Sequence, residues 1–107
     1  MNKIIKYIDI DSARVKLNNE GVMAVDIRDQ ESFNAGHING AIHLSNNNFD
    51  KFSNSTDKNN TVIVYCHHGN SSQKAARLLM NFGFLDVYSL NGGYEEWKTK
   101  IEKDIIC

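Results

Sequence analysis

The sequence contains no proline. Its turns must therefore rest on Gly, Asn, Asp and Ser. Only two cysteines occur, Cys66 and Cys107, and the second is the last residue given. Structural disulfides are rare in cytosolic proteins, so the expectation is an unbridged pair in a reducing cytoplasm. Charge of one sign is also lacking. Twelve basic residues against thirteen acidic ones leave a formal net charge of −1, with no Lys/Arg run. That balance favours neither a nucleic-acid partner nor a membrane surface. Long apolar runs are missing too. "MNKIIKYIDIDSARV" is interrupted by charge within a few positions, so neither a signal peptide nor a spanning segment is expected. No Walker loop, G-x-G-x-x-G or heptad pattern appears, and no resident cofactor or metal is expected.

A length of 107 residues suits one compact domain spanning 1–107. Two β-branched, nearly continuous apolar runs, Val22–Ile27 and Thr61–Cys66, fit strands buried on both faces. Val87–Leu90 is a shorter third run, and Ala41–Leu44 and Lys6–Ile8 are weaker ones. Helical patterns lie between them. Asp11 or Ser12 can cap a helix that ends by Gly21. The acids of "DQESFNAGH" suit a first turn, with a stop at Gly36. "SSQKAARLLMNFG" places Ala75, Leu79 and Phe82 on one face, with Ala76 and Leu78 beside it. "GYEEWKTKI" follows a Gly92-Gly93 turn, and the polar stretch Asn46–Asn60 reads as surface loop with a short helix around Phe49–Phe52. Alternating strands and helices predict an α/β fold: a doubly wound, mainly parallel sheet of about five strands flanked by helices.

In such sheets ligands bind beyond the carboxyl ends of strands, and Cys66 stands at one. Two readings of that thiol are open. A free cysteine ending a strand can be a small buried hydrophobe, and the polar loop after it only a helix cap. Alternatively, a loop curling from Cys66 to a helix that begins near Ser71 can aim several amides inward. Such a nest, with the helix terminus behind it, stabilises a thiolate or a bound anion. Gly69, Asn70, Ser71 and Ser72 are small enough to let that loop close. A zinc site from Cys66, His67 and His68 is disfavoured, because adjacent ligands are strained and no second pair completes four-coordination.

Four motifs in order, "VDIRD", "GHINGAIHL", "VIVYCHHGNSS" and "LNGGYEEW", resemble the single-domain rhodaneses, most closely the GlpE type of thiosulfate sulfurtransferase. The likeness runs from about Tyr7 to Trp97. It implies that Cys66 is the nucleophile and carries the transferred sulfur as a persulfide. It implies that the amides of the loop Cys66, His67, His68, Gly69, Asn70 and Ser71 cradle sulfur and substrate anion. Asp26 and Arg28 match an Asp-x-Arg motif and are read as an ion pair or backbone ligands. His37 is read as holding a turn, Trp97 as packing, and Gly36, Gly40, Gly92 and Gly93 as conformational or close-approach positions.

The activity so implied is ping-pong sulfur transfer from thiosulfate to cyanide or to a thiol acceptor, such as a small dithiol protein. Many rhodaneses carry Arg or Lys within the loop. Here His67 and His68 stand there, and histidine carries no obligatory charge at neutral pH. Weak thiosulfate binding is expected in consequence. Two other readings stand beside it. A rhodanese-like sulfur carrier or regulatory module would keep Cys66 but take sulfur from a protein persulfide. A phosphatase or arsenate reductase of Cys-x5-Arg type requires arginine at position 72, where this chain has Ser72 and a loop one residue too short.

Overall fold

The computed structural model describes the backbone of residues 4–106 and side chains through Lys103, so Cys107 and its expected lack of a bridge lie outside the described residues. Five strands form one sheet: β1 (Lys6–Ile8), β2 (Val22–Asp26), β3 (Ile42–His43), β4 (Thr61–Tyr65) and β5 (Asp86–Leu90). Between and after them run α1 (Ile10–Lys16), α2 (Gln30–Ala35), α3 (Phe49–Ser55), α4 (Ser71–Asn81) and α5 (Gly93–Ile106). The strand order is β1-β5-β4-β2-β3, and every pairing is parallel.

The central strand explains its own sequence. Val62 and Val64 point into one hydrophobic cluster, with Phe52 of α3 and Ala76, Leu79 and Met80 of α4. Ile63 and Tyr65 point the other way, into a cluster with Ile10 and Ala13 of α1 and Tyr94 and Trp97 of α5. Successive side chains alternate across a strand, so covering both faces requires apolar residues at every position. Trp97 accordingly packs, as expected.

The connections leaving β2 and β4 diverge. β2 leads to β3 at one edge, whereas β4 leads back to β5 on its other side. The crevice between the carboxyl ends of β2 and β4 is thus the point at which the winding reverses, where open α/β sheets bind ligands.

Three expectations need correction. The cap of α1 is Asp9, whose Oδ1 accepts from the Ser12 amide at 2.7 Å; Asp11 and Ser12 fall inside the first turn. The helix in the polar loop runs Phe49–Ser55, a turn longer than expected, because Phe52 is buried and stacks on Phe84 with centroids 5.7 Å apart. The buried face of α4 is Ser72, Ala76, Leu79 and Met80, while Leu78 and Phe82 are 44% and 48% exposed. The helix is phased by Ser72 at its start, which turns inward to Cys66 and Ser89, and this rotates the apolar pair outward.

Candidate active site

Cys66 is the first residue past β4 and only 5% exposed. The chain turns at once through His67, His68, Gly69 and Asn70 into α4. Within this turn the Gly69 amide donates to Cys66 Sγ at 3.1 Å and the Ser72 amide donates at 3.3 Å. Ser72 Oγ lies 3.5 Å from the same sulfur, and Ser89 Oγ of β5 lies 2.7 Å behind it. Both serines are buried.

Burial pushes the Cys66 thiol up, because a charged sulfur loses water there. The Ser72 hydroxyl, together with the amides of Ser72, Gly69 and His68, more than offsets it, and the net direction is below the ordinary thiol value. Hydrogen bonds offered to the charged form outweigh desolvation. No cationic side chain is among these causes.

Two main-chain amides thus face the sulfur. Gly69 and Ser72 supply the bonds to sulfur, and the His68 amide adds to the field. Among the described hydrogen bonds, no amide of His67, Asn70 or Ser71 reaches Sγ. Asn70 precedes α4 without a side-chain capping bond; its carbonyl accepts from the Gln73 amide at 3.3 Å. Ser71 lines a groove of about 590 Å³ between α4 and the segments that follow β2 and β3, with Arg28, Asp29, His43, Lys74 and Leu78. His67 is half-exposed, its Nε2 3.7 Å from Asp29 and its Nδ1 4.0 Å from Glu95. His68 is exposed at the rim.

Sequence reasoning missed Ser72 and Ser89 as partners of the thiol. In the sequence Ser72 stands out only as small. Its signal was its place four residues before Ala76, on the inward face of α4.

The loop is held from outside as well. The N-terminal amides of α5 reach it: Tyr94 N–H donates to the Cys66 carbonyl at 2.8 Å and Glu95 N–H to the His67 carbonyl at 3.1 Å. These amides have no partner within their own helix, so the loop carbonyls satisfy them. Such an approach requires glycine. A Cβ on Gly93, at φ +62°, would sit 2.5 Å from the His67 carbonyl oxygen and 2.6 Å from that of Cys66. Gly69, at φ +96°, would bring a Cβ within 3.1 Å of the Gly92 amide.

The floor beside the loop is ionic. Arg28 Nη2 bonds Asp26 Oδ2 at 2.6 Å and the Gly36 carbonyl at 2.7 Å, and its guanidinium lies 4.2 Å from the Tyr94 ring centre. The Arg28 amide also donates to Asp26 Oδ1, at 2.8 Å. The expected pair is thus made, and both residues are buried. His37 Nδ1 donates to the Phe33 carbonyl at 2.8 Å while its ring stacks on Phe33, so it holds the turn after α2 as expected.

The family model for the rhodanese-like domain matches residues 9–100. The chain belongs to the rhodanese-like domain family. A thiosulfate sulfurtransferase GlpE of Pseudomonas fluorescens SBW25 is 51% identical over 89 residues, 83% of this chain and 82% of the relative. One of Pseudomonas putida F1 is 46% identical over 94 residues, 88% of this chain and 86% of the relative. Among solved structures, the rhodanese-like domain of an Anabaena protein superposes with a TM-score of 0.77 at 28% identity, covering 90% of this chain and 75% of that one. A rhodanese-like domain protein of Staphylococcus aureus gives 0.76 at 29%, covering 87% and 91%. Membership accounts for all four motifs together. In this rhodanese-like domain Asp-x-Arg builds the floor, Gly-His-x-x-Gly-Ala turns beside it, the cysteine loop forms the cup, and Gly-Gly lets α5 close on the loop. Among the described residues no helix is long and apolar enough to cross a membrane.

Proposed function

We propose that this rhodanese-like domain is a thiosulfate sulfurtransferase with Cys66 as its nucleophile. The observation that carries the reading is the pair of amides, Gly69 and Ser72, aimed at a sulfur held just past the central strand. The curated relatives named thiosulfate sulfurtransferase support it, at 46–51% identity over most of the chain.

The reaction divides into two displacements. Cys66 thiolate attacks the outer sulfur of thiosulfate, the S–S bond breaks, and sulfite departs with the bonding electrons. The enzyme is left with a persulfide on Cys66. An acceptor, cyanide or the thiolate of a small dithiol protein, then attacks the terminal sulfur and returns Cys66 as thiolate. Sulfite is a stable anion and needs no strong acid to leave. The loop correspondingly offers hydrogen-bond donors rather than a proton donor. The amides of His67, His68, Gly69, Asn70 and Ser71 form the rim over which the substrate anion passes. Covalent storage between the two steps makes the kinetics ping-pong. A reducing cytoplasm keeps the thiol available.

Whole-protein mass spectrometry after thiosulfate treatment tests this. One added sulfur on Cys66, lost again with cyanide and absent in Cys66→Ala, is the expected result. An unmodified Cys66, or full thiosulfate–cyanide turnover in Cys66→Ala, overturns it. A protein persulfide supplied in parallel separates a carrier from a thiosulfate enzyme: a carrier loads from the protein and ignores thiosulfate.

A further inference from the structure

Ser89 is the anomaly of its strand. On β5, Val87 points into the cluster beneath α4, and Ser89, two residues on, shares its face. A hydroxyl stands where hydrocarbon would pack, and it is 1% exposed. A buried hydroxyl is costly without a partner. Its only described hydrogen-bond partner is Ser72 Oγ at 2.7 Å, and Ser72 Oγ is in turn 3.5 Å from Cys66 Sγ.

We propose that Ser89 is a positioning residue for the Cys66 sulfur, acting through Ser72 as a two-hydroxyl chain that donates toward negative charge on sulfur. The inference rests on the sulfurtransferase reading for its purpose. The hydrogen count gives the chain a direction. With one described partner, Ser89 O–H is satisfied only when it donates to Ser72 Oγ. Ser72 then has its own hydrogen free to donate onward, and Sγ is the acceptor within range. Reversing the chain makes the thiol donate to Ser72 and Ser72 to Ser89, which leaves the Ser89 hydrogen with no described acceptor. Burial makes that loss matter. The chain is therefore complete when sulfur is anionic and one bond short when sulfur is a donor. It serves both ends of the cycle, since Cys66 must be anionic to attack thiosulfate and becomes anionic again when the acceptor takes the terminal sulfur. No proton changes owner within the serine pair; only the direction of donation is set.

The test follows alkylation of Cys66 by iodoacetamide against pH, read at the Cys66 peptide by mass spectrometry so that Cys107 does not contribute. The ionisable groups around the loop, His67 and His68 within it, Asp26, Arg28 and Asp29 from β2 and the connection after it, Lys74 from α4, and Tyr94 and Glu95 from α5, are the same in every variant. Ser89→Ala is expected to raise the midpoint by about half a pH unit, roughly threefold less thiolate at neutral pH. Ser89→Thr and Ser89→Val add equal bulk and differ in the hydroxyl, so the valine variant is expected to have the higher midpoint even if both pack less well. In a Ser72→Ala background, Ser89→Ala is expected to shift nothing further, because its route to sulfur is gone. An unmoved midpoint in Ser89→Ala, equal midpoints for the threonine and valine variants, or an undiminished Ser89→Ala shift in the Ser72→Ala background each overturn the proposal. The titration uses no sulfur donor. Persulfide formation in the unsubstituted protein is scored separately, so failure of sulfur transfer and failure of the serine chain are told apart.

Discussion

The main-chain amide of Tyr94 donates to the carbonyl of Cys66 at 2.8 Å, joining the first turn of α5 to the residue just past the central strand. The contact bypasses every side chain. It depends on backbone approaching backbone, and the neighbouring glycine makes that possible.

Gly93→Ala is therefore expected to damage both fold and site. The left-handed backbone at φ +62° alone costs a non-glycine residue about 1–2 kcal/mol. The new Cβ, 2.5 Å from the His67 carbonyl, forces loop and helix apart. Urea denaturation should show the lowered stability, and thiosulfate should load Cys66 more slowly even in the folded fraction. A variant with the native midpoint and native loading rate would mean that α5 does not hold the loop.

The thiol should react at lower pH than an ordinary cysteine. Burial opposes ionisation, but the Ser72 hydroxyl and the amides of Ser72, Gly69 and His68 prevail. The alkylation rate of Cys66 should rise with pH and reach half its maximum below about 8.5, the value of a free cysteine. The sign for stability follows. The folded protein releases the Cys66 proton before the unfolded chain does, so stability rises with pH between the two values. That contribution is fully present above the unfolded value and is lost as pH falls through the folded one. A half-maximum at or above that of a free thiol would contradict the hydrogen-bond account.

Replacing His68 with arginine should tighten thiosulfate binding. His68 is exposed at the rim, and its amide, which the substitution leaves in place, is what contributes at sulfur. A permanent cation some 6 Å from a dianion in wet surroundings is worth about threefold to tenfold in KM. Added salt should erode the gain. Initial-rate kinetics at two ionic strengths check both. An unchanged KM at low salt would show that the anion does not pass over this part of the loop.

Arg28→Ala should be severely destabilising without touching the sulfur. It leaves the Asp26 carboxylate, fully buried, without its guanidinium partner. Stranding one member of a buried pair costs about 3–5 kcal/mol. The Tyr94 ring, which packs against that guanidinium, loses its neighbour as well. Chemical denaturation measures the loss, and a change under about 1 kcal/mol would place the pair among ordinary surface contacts.

Parts of this architecture were readable from residues alone because their cause is local. β2 and β4 are covered on both faces, so nearly every residue in them is apolar, and the runs announce themselves. β1 and β3 are edge strands of three and two residues, too short for a pattern. The phase of α4 was misread because periodicity weighs what a side chain is, not what it meets. Leu78 and Phe82 are apolar and turned outward; Ser72 is polar and turned in because Cys66 and Ser89 await it. Asp9 competed with Asp11 and Ser12 as a cap, and only its extended backbone, φ −84° and ψ 170°, distinguishes it. The Cys66 loop is legible through its motif, but its docking to α5 and the contact of Ser89 with Ser72 join residues that lie 17 or more positions apart, and no spacing rule connects them.

The order in which the chain is synthesised bears on when this site can exist. β1 pairs with β5 alone, and the carbonyls at Cys66 and His67 are held by amides of α5. A growing polypeptide that has emerged only as far as Asn81 already contains Cys66, yet its first strand has no neighbour and the loop after Cys66 has no clamp. The finished surroundings of Cys66 are thus assembled only once the segment beyond β5 has joined the fold.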